Sequence, residues 1–219
     1  MSATSDFKSK QTKWLEGLPE NEKALLKSYT SLGDTILNNV MQGGAYESIE
    51  KQIVKFRAEY PEFFPDTKIG LVPSYVNAFL AVANKAPLVE RELTVYRGVK
   101  REEDILPTRN VLLSTSIHPV VAYDFSGKSR SPTGRYLKVI VKPGVRAVYI
   151  APISAIPKEG EILILPPFDI RKEKFEPPEG FRSPLVPDYV VTISPKAPYV
   201  RKAGTRRRMP KSKSRRRRN

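Results

Sequence analysis

The first ninety residues carry apolar side chains with helical spacing. Over 21–42 these side chains recur three or four positions apart, which predicts one apolar helix stripe that is interrupted near Gly33. The same spacing predicts a helix over 46–60, ending before Pro61, and another over 72–85. We expect these helices to serve in packing. The stripe of the first helix comprises Leu25, Leu26, Tyr29, Leu32, Ile36 and Val40.

From residue 93 the pattern changes to that of strands. Short β-branched or aromatic runs alternate with Pro, Gly, Asn and Asp. Strands that follow a helical half indicate an α+β domain, which we place at 1–195, with 1–90 helical and 91–195 β-rich. The Pro-rich stretch 166–187 is expected to be an ordered but irregular loop rather than more sheet. The predicted strands are 93–98, 111–116, 135–142, 146–150, 161–167 and 189–194.

Basic residues are concentrated at the C-terminus. The segment 201–219 holds eleven Lys and Arg and no acid, so only +4 of the formal charge of +15 belongs to the rest. Self-repulsion and the scarcity of apolar side chains predict that the tail, 196–219, is disordered. RNA or DNA contact, recruitment to acidic or nucleic-acid-associated proteins, a nuclear-import signal and a plain solvated extension are all compatible with this composition.

Composition also excludes several kinds of chemistry. Without cysteine there are no disulfides or thiolate sites, and a single histidine, His118, argues against a histidine metal cluster, so we expect no metal. No run approaches the roughly 18 to 20 apolar residues that span a bilayer, and the N-terminus lacks the apolar core of a signal peptide. We therefore expect a cytoplasmic protein without membrane contact.

Two glutamates flank a glycine at the start of an apolar run. If Glu159 and Glu161 lie on a strand, they project from one face about 6.6 Å apart, while Gly160 exposes bare backbone. Both carboxylates then point into one place. A solvated acidic strand end fits the same three residues.

Two further short motifs carry polar groups at strand ends. Alternation puts Ser114 and Ser116 on one face and Thr115 on the other, where hydroxyls can hold a carboxylate or a sugar, or can cap a turn. Arg97 follows a short strand, and Gly98 allows close approach of the backbone to a ligand, a pair suited to binding phosphate. A surface arginine before a turn fits this pair as well.

The order of Arg97, the Ser-Thr-Ser run at 114–116 and the Glu-x-Glu motif at 159–161 resembles the R-S-E clade of mono-ADP-ribosyltransferases, in its arginine-modifying form. The resemblance covers roughly residues 93–167. In size and general character the chain is similar to the Mod/Alt type of transferase that T-even bacteriophages use on host proteins, which would imply a role in host takeover in the host cytoplasm. The resemblance implies the ADP-ribosyltransferase fold, with N-terminal helices packed on a mixed β-sheet core.

The resemblance implies NAD as co-substrate and transfer of ADP-ribose to arginines of target proteins, with release of nicotinamide. Glu161 would be the catalytic glutamate, bound to the ribose 2′-hydroxyl and held by Ser114. Glu159 would accept hydrogen bonds from the acceptor guanidinium. Arg97 would bind the pyrophosphate region, and the backbone of Gly98 would meet the nicotinamide amide.

Other parts of the site follow from the same resemblance. Phe125 would form an aromatic wall against nicotinamide, although a core position is an equally good interpretation. The segment 126–135 would be a mobile loop in which Lys128 or Arg130 assists, and 151–158 would recognise the target protein. The NAD-binding set implied is Arg97, Gly98, Ser114, Thr115, Ser116, Phe125 and Glu161.

Two alternatives stay open at this point. In an NAD glycohydrolase, water would replace the arginine acceptor. In the other alternative, the chain is a basic nucleic-acid-binding protein built on an inactive transferase scaffold.

Overall fold

The computed structural model describes residues 2–30, 34–41, 53–54, 58, 61, 72–106, 111–180, 183 and 185–196. The helix predicted over 46–60 lies outside these residues except at 53, 54 and 58, as do Leu32, Gly33 and the tail from 197 onwards.

Helices form most of the described N-terminal part of the chain. The predicted helix over 21–42 is divided in two, since one helix ends at Ser28 and the next begins at Asp34. Two helices were not predicted individually. The first has a mostly polar sequence, and the last is a short segment between two strands. The helices are α1 (Ala3–Glu16), α2 (Glu20–Ser28), α3 (Asp34–Met41), α4 (Val72–Ala83) and α5 (Pro119–Ser126).

The strands form one mixed sheet in the order β4-β5-β2-β1-β3-β7-β6. Neighbouring strands are antiparallel except β3 and β7, which are parallel. The predicted α+β class, with helices packed on a mixed sheet, is confirmed. The strands are β1 (Leu93–Val99), β2 (Leu113–Ser116), β3 (Arg135–Val141), β4 (Arg146–Tyr149), β5 (Glu161–Leu165), β6 (Phe168–Lys174) and β7 (Tyr189–Pro195).

Strand β6 corrects the prediction of an irregular loop over 166–187. It pairs antiparallel with β7 along its whole length, from Phe168 opposite Pro195 to Lys174 opposite Tyr189. Its sequence, FDIRKEK, is rich in charge because β6 is an edge strand, and charged side chains protect such an edge from pairing with another chain. Because the strand lacks a run of β-branched residues, the sequence pattern did not predict it.

Two apolar clusters cover opposite faces of the central sheet. One joins helices α2, α3 and α4 to the sheet, and the other lies among the strands and includes Phe7 of α1. Strand β5 is buried throughout and supplies both clusters, with Leu163 in the first and Ile162 in the second. The first residue of this strand, Glu161, is therefore fixed by the packing of the whole sheet. No helix in the described segments is long and apolar enough to cross a membrane.

Helix α5 lies directly on β1 at Gly98. A Cβ atom at this position would stand 2.0 Å from the carbonyl oxygen of Ala122 and 2.3 Å from the amide nitrogen of Ser126. Both neighbours belong to the backbone of α5, so no side-chain rotation can make room. The absence of a side chain at Gly98 therefore allows α5 to pack directly against β1.

We expect Gly98→Ala to lower the free energy of unfolding by about 1–3 kcal/mol, because α5 must move away from β1 to admit the methyl group. Gly17→Ala is the matched control, since a Cβ there meets nothing closer than 3.5 Å and the backbone is right-handed helical. Chemical denaturation of both variants measures the difference. Equal denaturation midpoints for the two variants would contradict the packing role of Gly98.

Candidate active site

A cavity of about 480 Å³ opens where β1, β2 and β5 meet α5 and the N-terminal helices. We call it the first cavity. The residues to which the resemblance assigned catalysis or NAD binding line it, although they come from separate parts of the chain. They are Arg97, Gly98, Ser114, Thr115, Ser116, Phe125, Glu159 and Glu161.

The carboxylate of Glu161 is held on β5 by the neighbouring strand. Ser114 Oγ donates a hydrogen bond of 2.5 Å to Glu161 Oε1. Antiparallel pairing of β2 with β5 puts Ser116 directly opposite Glu161, so the register of the sheet fixes this contact. Glu161 is only 9% exposed, and a carboxylate so shielded acts more strongly on nearby charge than one in water.

Arg97 supplies a desolvated cation beside this carboxylate. Its Nη1 donates to the carbonyl oxygen of Ser114, and its Nε is buried without a hydrogen-bond partner among the described residues. Burial lowers the pKa of the Arg97 guanidinium below its ordinary value, and Tyr29, Asp104 and Glu161 act in the opposite direction. The group stays charged at physiological pH. A partly buried cation with an unused donor is suited to binding an anion.

Glu159 reaches the cavity by a route that the sequence did not predict. The two glutamates do not share a strand face, because Glu159 ends a short 3₁₀ turn and β5 begins only at Glu161. Between them Gly160 has a left-handed backbone with φ of +58°. This turn, rather than strand alternation, brings both carboxylates to the first cavity.

The turn before β5 is fastened to the end of β2. Ser116 Oγ donates to the carbonyl oxygen of Glu159 at 2.6 Å and accepts from the amide of His118 at 2.9 Å. A Cβ on Gly160 would lie 2.5 Å from Ile117 Cγ1 and 2.7 Å from His118 Cδ2, besides adopting a strained φ. His118 is the N-cap residue of α5 and immediately precedes that helix.

The side chain of Glu159 is half-buried at the cavity wall. Its partial burial raises the pKa of the Glu159 carboxyl above the ordinary value, and Lys158 opposes this change. Glu159 therefore holds its proton at a higher pH than an exposed glutamate does.

Thr115 fastens β2 to β5 from within the sheet. Its Oγ1 donates to the carbonyl oxygen of Ile162 at 2.8 Å, and the residue is buried. This contact reinforces the strand pair that carries Ser114 and Glu161.

Phe125 is 56% exposed and lines the first cavity, so its interpretation as a core residue is wrong. A second exposed apolar side chain, that of Ile156, lines the same cavity and is 42% exposed. Ile156 belongs to the segment 151–158, whose described backbone consists largely of 3₁₀ turns.

The N-terminal helices do more than pack, which sequence analysis missed. Tyr29, Thr30 and Asn38 line the first cavity. Tyr29 was assigned to the apolar stripe, and Asn38 lies outside that stripe on α3. The Oδ1 atom of Asn38 is buried without a hydrogen-bond partner in the described part of the chain. The sequence indicated the position of Asn38 at the cavity only by placing a polar residue beside the apolar stripe.

A second cavity of about 610 Å³ adjoins the first. The two share walls, so that together they form one elongated cleft with Arg97 at the junction. The shared residues are Asn38, Arg97, Gly98, Lys100 and Leu112.

The segment 126–135 is tied to its surroundings at several points. Lys128 Nζ lies 2.7 Å from Asp188 Oδ1, and Thr133 Oγ1 donates to the carbonyl oxygen of Lys100 at 3.1 Å. Neither Lys128 nor Arg130 lines either cavity. Their predicted assistance to the site is therefore not seen in this arrangement.

The described residues contain no group of three or more His, Cys, Asp or Glu side chains that could hold a metal ion.

Sequence comparison identifies one informative relative. No protein-family model matches the chain. Over 165 residues, or 73% of its length, the chain is 27% identical to the NAD(+)–arginine ADP-ribosyltransferase EFV of Enterococcus faecalis. The match covers 30% of that protein, so the chain spans less than a third of the relative's length.

Solved structures identify the fold. The Vis ADP-ribosyltransferase of Vibrio splendidus in complex with agmatine matches with a TM-score of 0.52 at 20% identity, over 89% of this chain and 83% of that one. The ADP-ribosylating toxin BECa of C. perfringens with NADH matches with a TM-score of 0.52 at 13% identity, over 87% of this chain and 47% of that one. The chain therefore has the fold of the ADP-ribosyltransferases, and its sequence is similar to that of an NAD(+)–arginine ADP-ribosyltransferase.

Proposed function

We propose that the chain transfers ADP-ribose from NAD to arginine side chains of target proteins. The observation that carries this proposal is the first cavity, where Glu161 is held by Ser114 and a second carboxylate, Glu159, shares the space with the desolvated cation Arg97. The similarity to an NAD(+)–arginine ADP-ribosyltransferase, and to a fold neighbour solved with agmatine, supports arginine as the acceptor.

The cleft has groups suited to a dinucleotide. At its junction are a buried donor, Arg97 Nε, and a buried acceptor, Asn38 Oδ1, which lack partners among the residues described. Arg97 and Lys100 are cations on the shared wall, where a pyrophosphate would need them. The nicotinamide end would then lie in the first cavity beside Phe125, and the adenosine end in the second.

Glu161 is suited to stabilising positive charge on a ribose. When bound, NAD supplies a glycosidic bond whose electron pair can leave with nicotinamide, and its cleavage passes through an oxocarbenium-like transition state. A shielded carboxylate, fixed in advance by Ser114, lowers the energy of that charge without having to reorganise. Arg97 would hold the phosphates and so orient the sugar.

Glu159 is suited to the acceptor. The planar donors of a guanidinium match a carboxylate, and one guanidinium nitrogen must lose a proton as it bonds to the ribose carbon. The raised pKa of Glu159 makes it a stronger base than an exposed glutamate. The proton would pass to Glu159 and then to solvent.

The finer assignments also belong to this proposal. The grouping of Arg97, Ser114 and Glu161 around one cavity supports placing the chain in the R-S-E clade. The bacteriophage Mod/Alt type, the host-takeover role, the cytoplasmic location and nucleic-acid contact through 201–219 stay predictions from the sequence.

Replacing each glutamate separately tests the division of roles. We expect Glu161→Gln to slow both NAD hydrolysis and transfer to agmatine by about a hundredfold or more, because it removes charge stabilisation from both reactions. Glu159→Gln should slow transfer far more than hydrolysis. Nicotinamide release and the mass of the agmatine product measure the two reactions.

Glu176→Gln is the control for these variants, since Glu176 is exposed and lines neither cavity. Equal losses of hydrolysis and transfer in Glu159→Gln would contradict the role of Glu159. NAD hydrolysis by the wild type without any arginine product would favour a glycohydrolase.

The pH dependence of transfer should report on Glu159. The deprotonated carboxylate is the active form, so transfer is present above its pKa and lost as the pH falls through it. Because burial raises that pKa, we expect the acidic limb of transfer to lie above the ordinary value of a glutamate. NAD hydrolysis should lack this limb, and Glu159→Gln should abolish it. An unchanged limb in the variant would assign it to another group.

A further inference from the structure

The segment that leads to Glu159 is joined to the N-terminal helices by the hydroxyl of Thr30. The amide nitrogen of Ala155 donates a hydrogen bond of 3.1 Å to Thr30 Oγ1, although the two residues are 125 positions apart in the chain. The same hydroxyl donates to the carbonyl oxygen of Lys27 at 2.8 Å, in the last turn of α2. Thr30 also lines the first cavity, together with Ile156 and Glu159. The hydroxyl of Thr30 therefore connects α2 to the wall that carries Glu159.

The chain has little freedom between Ala155 and Glu159. The amide of Ile156 donates to Ser154 Oγ at 3.0 Å, and the amide of Glu159 donates to the carbonyl oxygen of Ile156 at 3.1 Å. Pro157 begins the 3₁₀ turn between them, and its ring fixes the backbone angle φ. A shift at Ala155 is therefore passed on to Glu159 through a single turn.

This turn has two side-chain anchors, which come from different parts of the fold. Ser116 of β2 holds its end, because it donates to the carbonyl oxygen of Glu159. Thr30 holds its beginning, because it accepts from the amide of Ala155. Glu161, by contrast, is fixed by the pairing of β2 with β5 and does not depend on the contact with α2.

We infer that Thr30 is a positioning residue for arginine transfer and acts through Glu159. The inference rests on the proposed role of Glu159 towards the acceptor guanidinium. A reacting group that is held loosely spends less time in the geometry that its partner needs, so the loss of one anchor slows transfer. Hydrolysis of NAD uses Glu161 and water, and it does not need this anchor. The N-terminal helices therefore favour arginine over water as the acceptor, in addition to their packing.

The test removes the hydroxyl of Thr30 and keeps the size of the side chain. Thr30→Val should slow transfer to agmatine by about three- to tenfold and NAD hydrolysis by less than about twofold, as expected when one hydrogen bond that holds a reacting group is lost. Thr30→Ala, which also lacks the hydroxyl, should show the same change. Thr30→Ser restores the hydroxyl and should return the ratio of transfer to hydrolysis to the wild-type value. Nicotinamide release and the mass of the agmatine product measure the two rates.

Thr192→Val is the matched control, since it makes the same change on β7 at a residue that lines neither cavity. It should leave the ratio unchanged, and thermal unfolding of every variant confirms that it is folded. A double variant tests whether Thr30 acts through Glu159. When Thr30→Val is added to Glu159→Gln, the residual transfer should fall no further, because the group that Thr30 positions has already been removed.

Three outcomes would overturn the inference and leave the proposed function intact. They are a wild-type ratio in Thr30→Val, a failure of Thr30→Ser to restore the ratio, and a further loss of transfer in the double variant as large as that in the single one. A wild type that forms no agmatine product would overturn both the inference and the proposed function.

Discussion

The carboxylate of Glu161 begins β5, whose side chains are buried in both apolar clusters of the protein. Removing a carboxylate from water is costly unless it is hydrogen-bonded and opposed by positive charge. Ser114 provides the hydrogen bond, and Arg97 provides a nearby cation that is itself desolvated. The pairing of β2 with β5 keeps these groups together, so the sheet and the site stabilise the same arrangement.

The cleft depends on elements on both sides of this centre. The N-terminal helices contribute Asn38 and Tyr29 to its wall, and α5 contributes Phe125 because Gly98 lets the helix approach β1. The turn after β1 continues the wall into the second cavity, where contacts from Glu102 to Arg135 and Tyr189 hold it. Each wall is therefore supported by a part of the chain distant in sequence.

Much of this arrangement was predictable because helices and inner strands have characteristic local patterns of apolar residues. Apolar spacing predicted α4 and the helical character of α2 and α3, and β-branched runs predicted all strands except β6. Strand β6 was missed because an edge strand carries charge where an inner strand carries apolar residues. The residues assigned to catalysis and NAD binding come together at the first cavity, whereas Lys128 and Arg130 line neither cavity. Asn38 was missed because its position depends on how α3 packs, and sequence spacing alone does not give that.

The placement of Glu159 shows a different limit of sequence reasoning. Alternation along a strand predicted that both glutamates would point to one region, and both do line one cavity. The reason differs, because Gly160, with a left-handed backbone, separates Glu159 in a turn from Glu161 on a strand. The two carboxylates consequently have separate supports. The sheet holds Glu161, while Ser116 holds the turn of Glu159. Insertions or deletions in that turn would reposition Glu159 and leave the strand pairing of Glu161 intact, so one carboxylate of the cavity can move in evolution while the other keeps its place.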